Sequence, residues 1–167
     1  MARLLPGRSK ASAVATALKV KPELIAQALA SAKPPRMRGE VLNFAAGFTV
    51  VDDSYNSNPR SLLSMVRTVA ESREKVKRRI VIAGEMMELG PEAPSMHRDV
   101  GREIAELGVQ ELWGVRGLAS EIVAGANEAG IGLARFFDSS DQAATAMRSS
   151  DAMSTGSLGS TPRRPLK

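Results

Sequence analysis

The run Asp52-Asp53-Ser54-Tyr55-Asn56-Ser57-Asn58-Pro59 gathers the side chains of this chain best suited to chemistry. Ionised carboxylates only accept hydrogen bonds, whereas carboxamides both donate and accept. Asp53 can therefore take the hydroxyls of a ribose diol or help hold a metal. Tyr55, the only tyrosine, can stack on a base or pack on its own loop. Asn56 and Asn58 suit phosphate or peptide groups. Asn58 also fits a helix N-cap and Pro59 the first helical position, which turns backbone N–H groups into the loop. A capped strand-to-helix turn with solvated acids fits the same residues, and both readings stand here.

A second run, Gly84-Glu85-Met86-Met87-Glu88-Leu89-Gly90, follows an apolar stretch. Gly84 permits close backbone approach, Glu85 is expected to face a crevice, and Met86, Met87 and Leu89 read as lids on the core. His97, the only histidine, has no triad around it and reads first as an oriented structural group. Gly101 is expected to let its helix pack closely on a sheet. Arg38 follows a double proline; it is either a solvated link charge or a guanidinium fork for phosphate.

What is absent narrows the classes. No cysteine occurs, which removes disulfides, thiolate catalysis and thiolate metal sites. One histidine cannot build a histidine-rich metal centre, and no metal site is assigned to this chain. Neither G-x-x-x-x-G-K-[ST] nor G-x-G-x-x-G is present, so a self-sufficient ATP-using enzyme or dinucleotide oxidoreductase is not expected. No apolar run approaches the roughly 20 residues of a membrane span, and the amino end lacks a secretory signal. A cytoplasmic, monomeric protein without a membrane partner is the expectation. The net charge is +5, but the basic residues scatter over 33–38, 73–79 and the last few positions, beside many acids. No basic helix face carries interleaved aromatics, so no nucleic-acid partner is expected.

The elements that must position these residues follow from periodicity. Residues 9–32 read as two short helices, the first capped by Ser9 with Ala11, Val14, Ala15 and Leu18 at helical spacing, the second opened by Pro22. Lys33-Pro34-Pro35 reads as a linker. Residues 40–44 and 48–52 read as paired strands. Then strands near 48–53, 79–84, 111–115 and 133–137 alternate with helices near 59–73, 95–107, 118–129 and 140–149. That alternation predicts an α/β, Rossmann-like, doubly wound and mostly parallel sheet with flanking helices. Strand 79–84 is apolar throughout, as a central strand covered on both faces would be. Parallel strands align their carboxyl ends, so Asp52, Asp53, Glu85, Arg116, Asp138 and Ser139 are expected along one edge, where such sheets bind ligands. Residues 151–167 have neither period and read as disordered or divergent.

The three motifs, Asp52 to Pro59, Gly84 to Gly90 and His97-Arg98-Asp99-Val100-Gly101, occur in the order and spacing of the carboxyl-terminal domain of Mur ligases, which the chain resembles from about residue 9 to 148. Met37-Arg38-Gly39-Glu40-Val41-Leu42 resembles that family's link between central and terminal domains. The nearest branch joins D-alanyl-D-alanine to a UDP-linked muramoyl tripeptide through an acyl phosphate, using ATP and magnesium. The resemblance implies a helical remnant of the central ATPase domain and linker at 1–37, a terminal Rossmann-like domain at 38–150 and a tail at 151–167. It implies Arg38 at the phosphates, Asp53 at the ribose, and Tyr55, Asn56 and Asn58 on the closing face, with Asp52, Glu85, His97 and Arg116 lining the site. It assigns most ATP and magnesium contacts to domains outside these residues, so the chain reads as a ligase fragment that does not ligate alone. The competing class is a stand-alone small-ligand-binding or regulatory module, receiver-like, using Asp52 and Asp53.

Overall fold

Asn58 caps a helix by a reciprocal arrangement. Its side-chain oxygen accepts from the Ser61 N–H at 2.9 Å, and the Ser61 hydroxyl accepts from the Asn58 N–H at 3.1 Å. Two donors that the first turn cannot satisfy are thereby paired, an arrangement worth about 1 kcal/mol. Pro59 takes the first helical position. This helix is α3 of a computed structural model that describes residues 6–31, 36–45, 47–72, 76 and 78–149. The expected linker Lys33-Pro34-Pro35 and the expected tail 151–167 lie outside the described residues.

In chain order the elements are α1 (Pro6–Ala17), α2 (Pro22–Ser31), β1 (Glu40–Asn43), β2 (Thr49–Asp52), α3 (Pro59–Ala70), β3 (Ile80–Gly84), α4 (Ala93–Glu106), β4 (Glu111–Val115), α5 (Ala119–Glu128), β5 (Leu133–Phe137) and α6 (Ser140–Ser149). A single 3-10 turn, Gly90–Glu92, leads into α4. Ser9 lies inside α1 and is not its cap, because the proline at position 6 opens the helix earlier. Leu18 falls in the turn that follows.

Two compact units emerge, one made of Met1–Leu42 with Thr49–Tyr55, the other of Asn43–Phe48 with Asn56–Lys167. In the first, β1 and β2 form a two-stranded sheet of their own. The expected pairing of β1 with β2 is present, the pairing that closes the shortest loop; β2 was also expected to join the parallel sheet, and among the described residues it does not. The apolar faces of α1 and α2 remain open, with Val14 and Leu24 both exposed and no α2 residue buried.

The second unit holds a parallel sheet of order β3-β4-β5, flanked by helices. Strand β4 is its centre. The apolar run of β3 was expected to mark a central strand, yet among the described residues β3 pairs with β4 alone and Ile82 is 55 % exposed. An apolar strand can be buried on two faces but does not need to be, and the number of its neighbours is set by the rest of the chain. Val81 and Ala83 of β3, Leu112 of β4 and Ala134 of β5 alternate onto the face that meets the core of Ile104, Ile122 and Ala126. Trp113 points to the other face, against Phe137 at 5.1 Å between ring centroids.

Helices α4 and α5 make the most extensive contact in the unit. Two glycines allow it. A Cβ on Gly101 of α4 would overlap the Ile122 carbonyl of α5, and a Cβ on Gly125 of α5 would overlap the Arg98 carbonyl of α4. Gly101 therefore serves a helix-to-helix contact and not the helix-to-sheet contact expected of it. Four ion pairs among Arg98, Arg102, Asp99, Glu121 and Glu128 rim the crossing at 2.6 to 3.4 Å. Such exposed pairs add at most about 1 kcal/mol each, so close packing decides the geometry. Alanine at Gly101 or Gly125 would gain about 1 kcal/mol of helix propensity, but overlap with a backbone carbonyl costs more than that. We expect Gly101→Ala and Gly125→Ala each to lower unfolding stability by about 2 kcal/mol or more in urea titrations. A neutral or stabilised variant would contradict this packing.

Candidate functional site

The carboxyl ends of the parallel strands are in register. Gly84, Val115 and Phe137 are successive partners across β3, β4 and β5, so Glu85, Arg116 and Asp138 follow one another along one edge. Arg116 leaves β4 in the left-handed region at φ 68° and Gly117 follows at φ 50°. Its N–H donates to the Phe137 carbonyl at 2.9 Å, and its own carbonyl accepts from Ala119, which ties the turn to β5 and to the start of α5. Glu85 lies over Gly117 so closely that a Cβ there would strike its carboxylate. The edge is thus an acid, a base and an acid on three adjacent loops. Asp52 and Asp53 were expected on it too. Because β2 is not a strand of that sheet, the topological argument does not reach them.

The Gly84–Gly90 loop is fixed from beneath by His97. This residue is fully buried, and its Nε2 accepts from the Met86 N–H at 2.8 Å. Its Nδ1 lies 2.6 Å from the Ala93 carbonyl, which only an N–H can satisfy, so the ring is the neutral Nδ1–H tautomer. Both nitrogens are spent on the protein's own backbone, and His97 acts on the site through the loop it holds. Met86 is 2 % exposed and roofs the core, as expected. Met87, expected beside it, is 66 % exposed and does not.

In the other unit, the link and the end of β2 are tied together. Tyr55 donates its N–H to the Met37 carbonyl at 3.1 Å, and the Arg38 guanidinium carbon sits 4.0 Å above the centre of the Tyr55 ring. Asp53 accepts from the Gly39 N–H. Asp52 is turned locally, accepting from the Ser54 N–H at 3.1 Å and the Ser54 hydroxyl at 2.6 Å. Sequence reasoning named Arg38, Asp53 and Tyr55 separately and missed that they form one cluster; the left-handed turn that makes it, Met37 at φ 60° and Gly39 at φ 69°, was signalled only by the glycine.

The carboxamides are partly used up. Asn56 accepts from the Ser57 N–H at 2.8 Å, and the Asn58 oxygen is committed to its cap, leaving the Asn58 amide N–H groups for a ligand. The unit boundary falls between Tyr55 and Asn56. None of these residues lines the recess of about 410 Å³ bordered by Arg60, Leu63, Ser64, Arg67 and Glu103. Among the described residues no three His, Cys, Asp or Glu side chains converge as metal ligands. Arg38 and Asp53 thus set a guanidinium and a carboxyl side by side in one turn.

Burial raises the Asp53 pKa above its ordinary value of 3.8, and the Asp52 charge adds to this; the Gly39 hydrogen bond and the Arg38 charge oppose it without cancelling it. The folded chain then keeps the Asp53 proton to higher pH than the unfolded chain does. Within that window the native state binds more protons, so stability falls as pH rises through it. Asp53→Asn keeps an oxygen for the Gly39 N–H and removes the charge. We expect it to melt higher than the parent chain at neutral pH, with the difference fading at pH below 3.8. An equal difference at both pH values would refute this account.

The chain has counterparts in sequence and in fold. UDP-N-acetylmuramoyl-tripeptide–D-alanyl-D-alanine ligase of Mycobacterium bovis is 38 % identical over 106 residues, covering 61 % of this chain and 21 % of that protein. The Bacillus subtilis ligase of the same name is 27 % identical over 107 residues, 64 % of this chain and 23 % of that one. A crystal structure of MurF from Acinetobacter baumannii superposes with TM-score 0.68 at 28 % identity, over 84 % of this chain and 29 % of that chain. MurF of Thermotoga maritima, solved in complex with ADP, matches in fold with TM-score 0.55 at 18 % identity, over 78 % and 33 %. The chain spans about a fifth of the length of the curated relatives it matches. These likenesses do not favour a stand-alone regulatory module. Residues 37–155 match the family model of the Mur ligase, glutamate ligase domain, and the chain belongs to that family.

Proposed function

We propose that this chain supplies the carboxyl-terminal, nucleotide- and substrate-facing domain of an ATP-dependent ligase that adds D-alanyl-D-alanine to UDP-N-acetylmuramoyl-tripeptide in peptidoglycan precursor synthesis. The observation that carries the reading is the cluster of Arg38, Asp53 and Tyr55, which lies inside the family match and joins a phosphate-binding fork to a diol acceptor. In this reading residues 1–37 are the end of a central ATPase domain and its linker, 38–150 the terminal domain and 151–167 a tail.

The chain's own groups act by position and charge. Arg38 places two parallel N–H donors against phosphate oxygens, where charge shifts during transfer. Asp53 orients the ribose by accepting from its hydroxyls. The Asn58 amide donates to the closing face, while Asn56 and Asp52 shape the loop that carries it. Glu85 and Arg116 flank the sheet edge as an acid and a base, and His97 keeps the Glu85 loop in place. ATP, when bound, supplies the phosphoryl group that activates the acceptor carboxylate. The described residues hold no magnesium cluster, and the reading leaves that ion to groups other than these. The reading takes the chain to be a cytoplasmic monomer with neither nucleic-acid nor membrane partner; its basic residues are scattered, and no described helix is long and apolar enough to cross a membrane.

A chimaera tests this. Residues 38–149 of this chain, replacing the matching domain of the Mycobacterium bovis ligase, are expected to restore D-alanyl-D-alanine-dependent ATP turnover. In that chimaera Asp53→Ala should lower turnover at least about tenfold, equivalent to about 1.4 kcal/mol of barrier. An unchanged rate in the alanine variant removes Asp53 from the nucleotide site.

A further inference from the structure

Arg38 is held in an unusual way for an exposed link cation. The residues on both sides of it, Met37 and Gly39, are left-handed, which turns the chain sharply at this point. Each flank is also pinned: Met37 by the Tyr55 N–H, and Gly39 through its own N–H to Asp53. Gly39 is buried, whereas Arg38 before it is exposed and Glu40 after it half-buried. The guanidinium then lies 4.0 Å over the Tyr55 ring. Among the described residues no hydrogen bond or ion pair takes up its N–H groups, although its charge acts on the Asp53 carboxyl.

We propose that Tyr55 is a positioning residue, whose ring face holds the Arg38 guanidinium flat and so directs its free N–H edge at the phosphates of a nucleotide. The physical basis is that stacking and fork binding use different parts of one planar group. The ring attracts the face of the guanidinium, while its five N–H donors point outward in the plane. A flexible arginine that is already stacked loses less side-chain freedom when it binds. A base cannot share the ring face that the guanidinium occupies. Tyr55 thus acts through Arg38, and its hydroxyl, which has no partner among the described residues, is not needed. The phosphate part of this inference rests on the proposed function; the stacking part does not.

The experiment uses the intact 167-residue chain and compares Tyr55→Phe with Tyr55→Leu. Proton NMR of the Arg38 side chain reports the ring current directly, since Tyr55 is the only tyrosine. Upfield-shifted Arg38 δ and ε protons are expected in the parent and in Tyr55→Phe, and ordinary shifts in Tyr55→Leu. The same samples are titrated with magnesium-ATP and with inorganic tripolyphosphate, which has no base. Tyr55→Leu should weaken both probes alike, by roughly two- to fivefold, the size of an exposed cation–π contact, and Tyr55→Phe should restore both. Loss of ATP affinity alone would show that the ring stacks on the base and would overturn the proposal. So would Arg38 shifts that Tyr55→Leu does not move. Failure of both probes to bind the parent chain would overturn the phosphate part of the proposal and leave the proposed function standing, and the Arg38 shifts would then decide the stacking by themselves.

Discussion

The second unit depends on two helices meeting with no side chain between them. Gly101 faces the Ile122 carbonyl and Gly125 faces the Arg98 carbonyl, so α4 and α5 approach as closely as backbones allow. That approach fixes more than the helices. Each is the crossover between adjacent parallel strands, and each begins just after a loop at the carboxyl edge of the sheet. Separate the two axes and the start of α5 moves, together with the Arg116–Gly117 turn hydrogen-bonded to it. Core close packing transmits such a shift rather than absorbing it.

His97 shows how a polar group can be buried without cost to the fold. A neutral imidazole taken from water must recover two hydrogen bonds, and here it donates to the Ala93 carbonyl and accepts from the Met86 N–H. The acceptor is one that the first turn of α4 supplies; the donor comes from a loop that has no strand partner. A carboxamide in place of the ring could make one bond but would not span both, because the two ring nitrogens are set apart on a rigid frame. The single histidine of the chain is thus explained by geometry at the loop and not by proton transfer.

The sequence made the alternation of strands and helices readable because each element carries a clean period. Strands β4 and β5 span the residues expected of them, Glu111–Val115 and Leu133–Phe137, and Asn58 and Pro59 mark the start of α3 with capping chemistry. Partnership was readable only in part: the β1–β2 pair was, but not that β2 stays out of the parallel sheet. Val50-Val51 of β2 and Ile80-Val81-Ile82 of β3 look alike as segments, yet one belongs to a two-stranded sheet and the other to the parallel sheet. Which strand pairs with which depends on contacts far apart in the chain, and no local period encodes that. The Gly101 contact failed for a related reason: a helical glycine announces a close approach without saying to what. At the site, residue types disclosed candidates, but the stack of Arg38 on Tyr55 spans 17 positions and needed coordinates.

The motif from Asp52 to Pro59 contributes to both units, and its two halves are stabilised independently. Its acidic and aromatic half is ordered by Asp52 with Ser54 and by the bonds from Tyr55 and Asp53 to the link. Its amide half is ordered by the Asn58 and Ser61 capping pair at the head of α3. Neither half borrows its hydrogen bonds from the other. The two hydrogen-bond networks have no residue in common. The raised pKa of Asp53 fits the same logic. A carboxylate kept partly from water beside a second carboxylate lowers stability at neutral pH, and a fold selected for stability alone would place a carboxamide there. Asp53 stands beside Arg38, whose N–H groups have no partner among the described residues, and the Arg38 charge offsets only part of what burial and Asp52 do to its carboxyl.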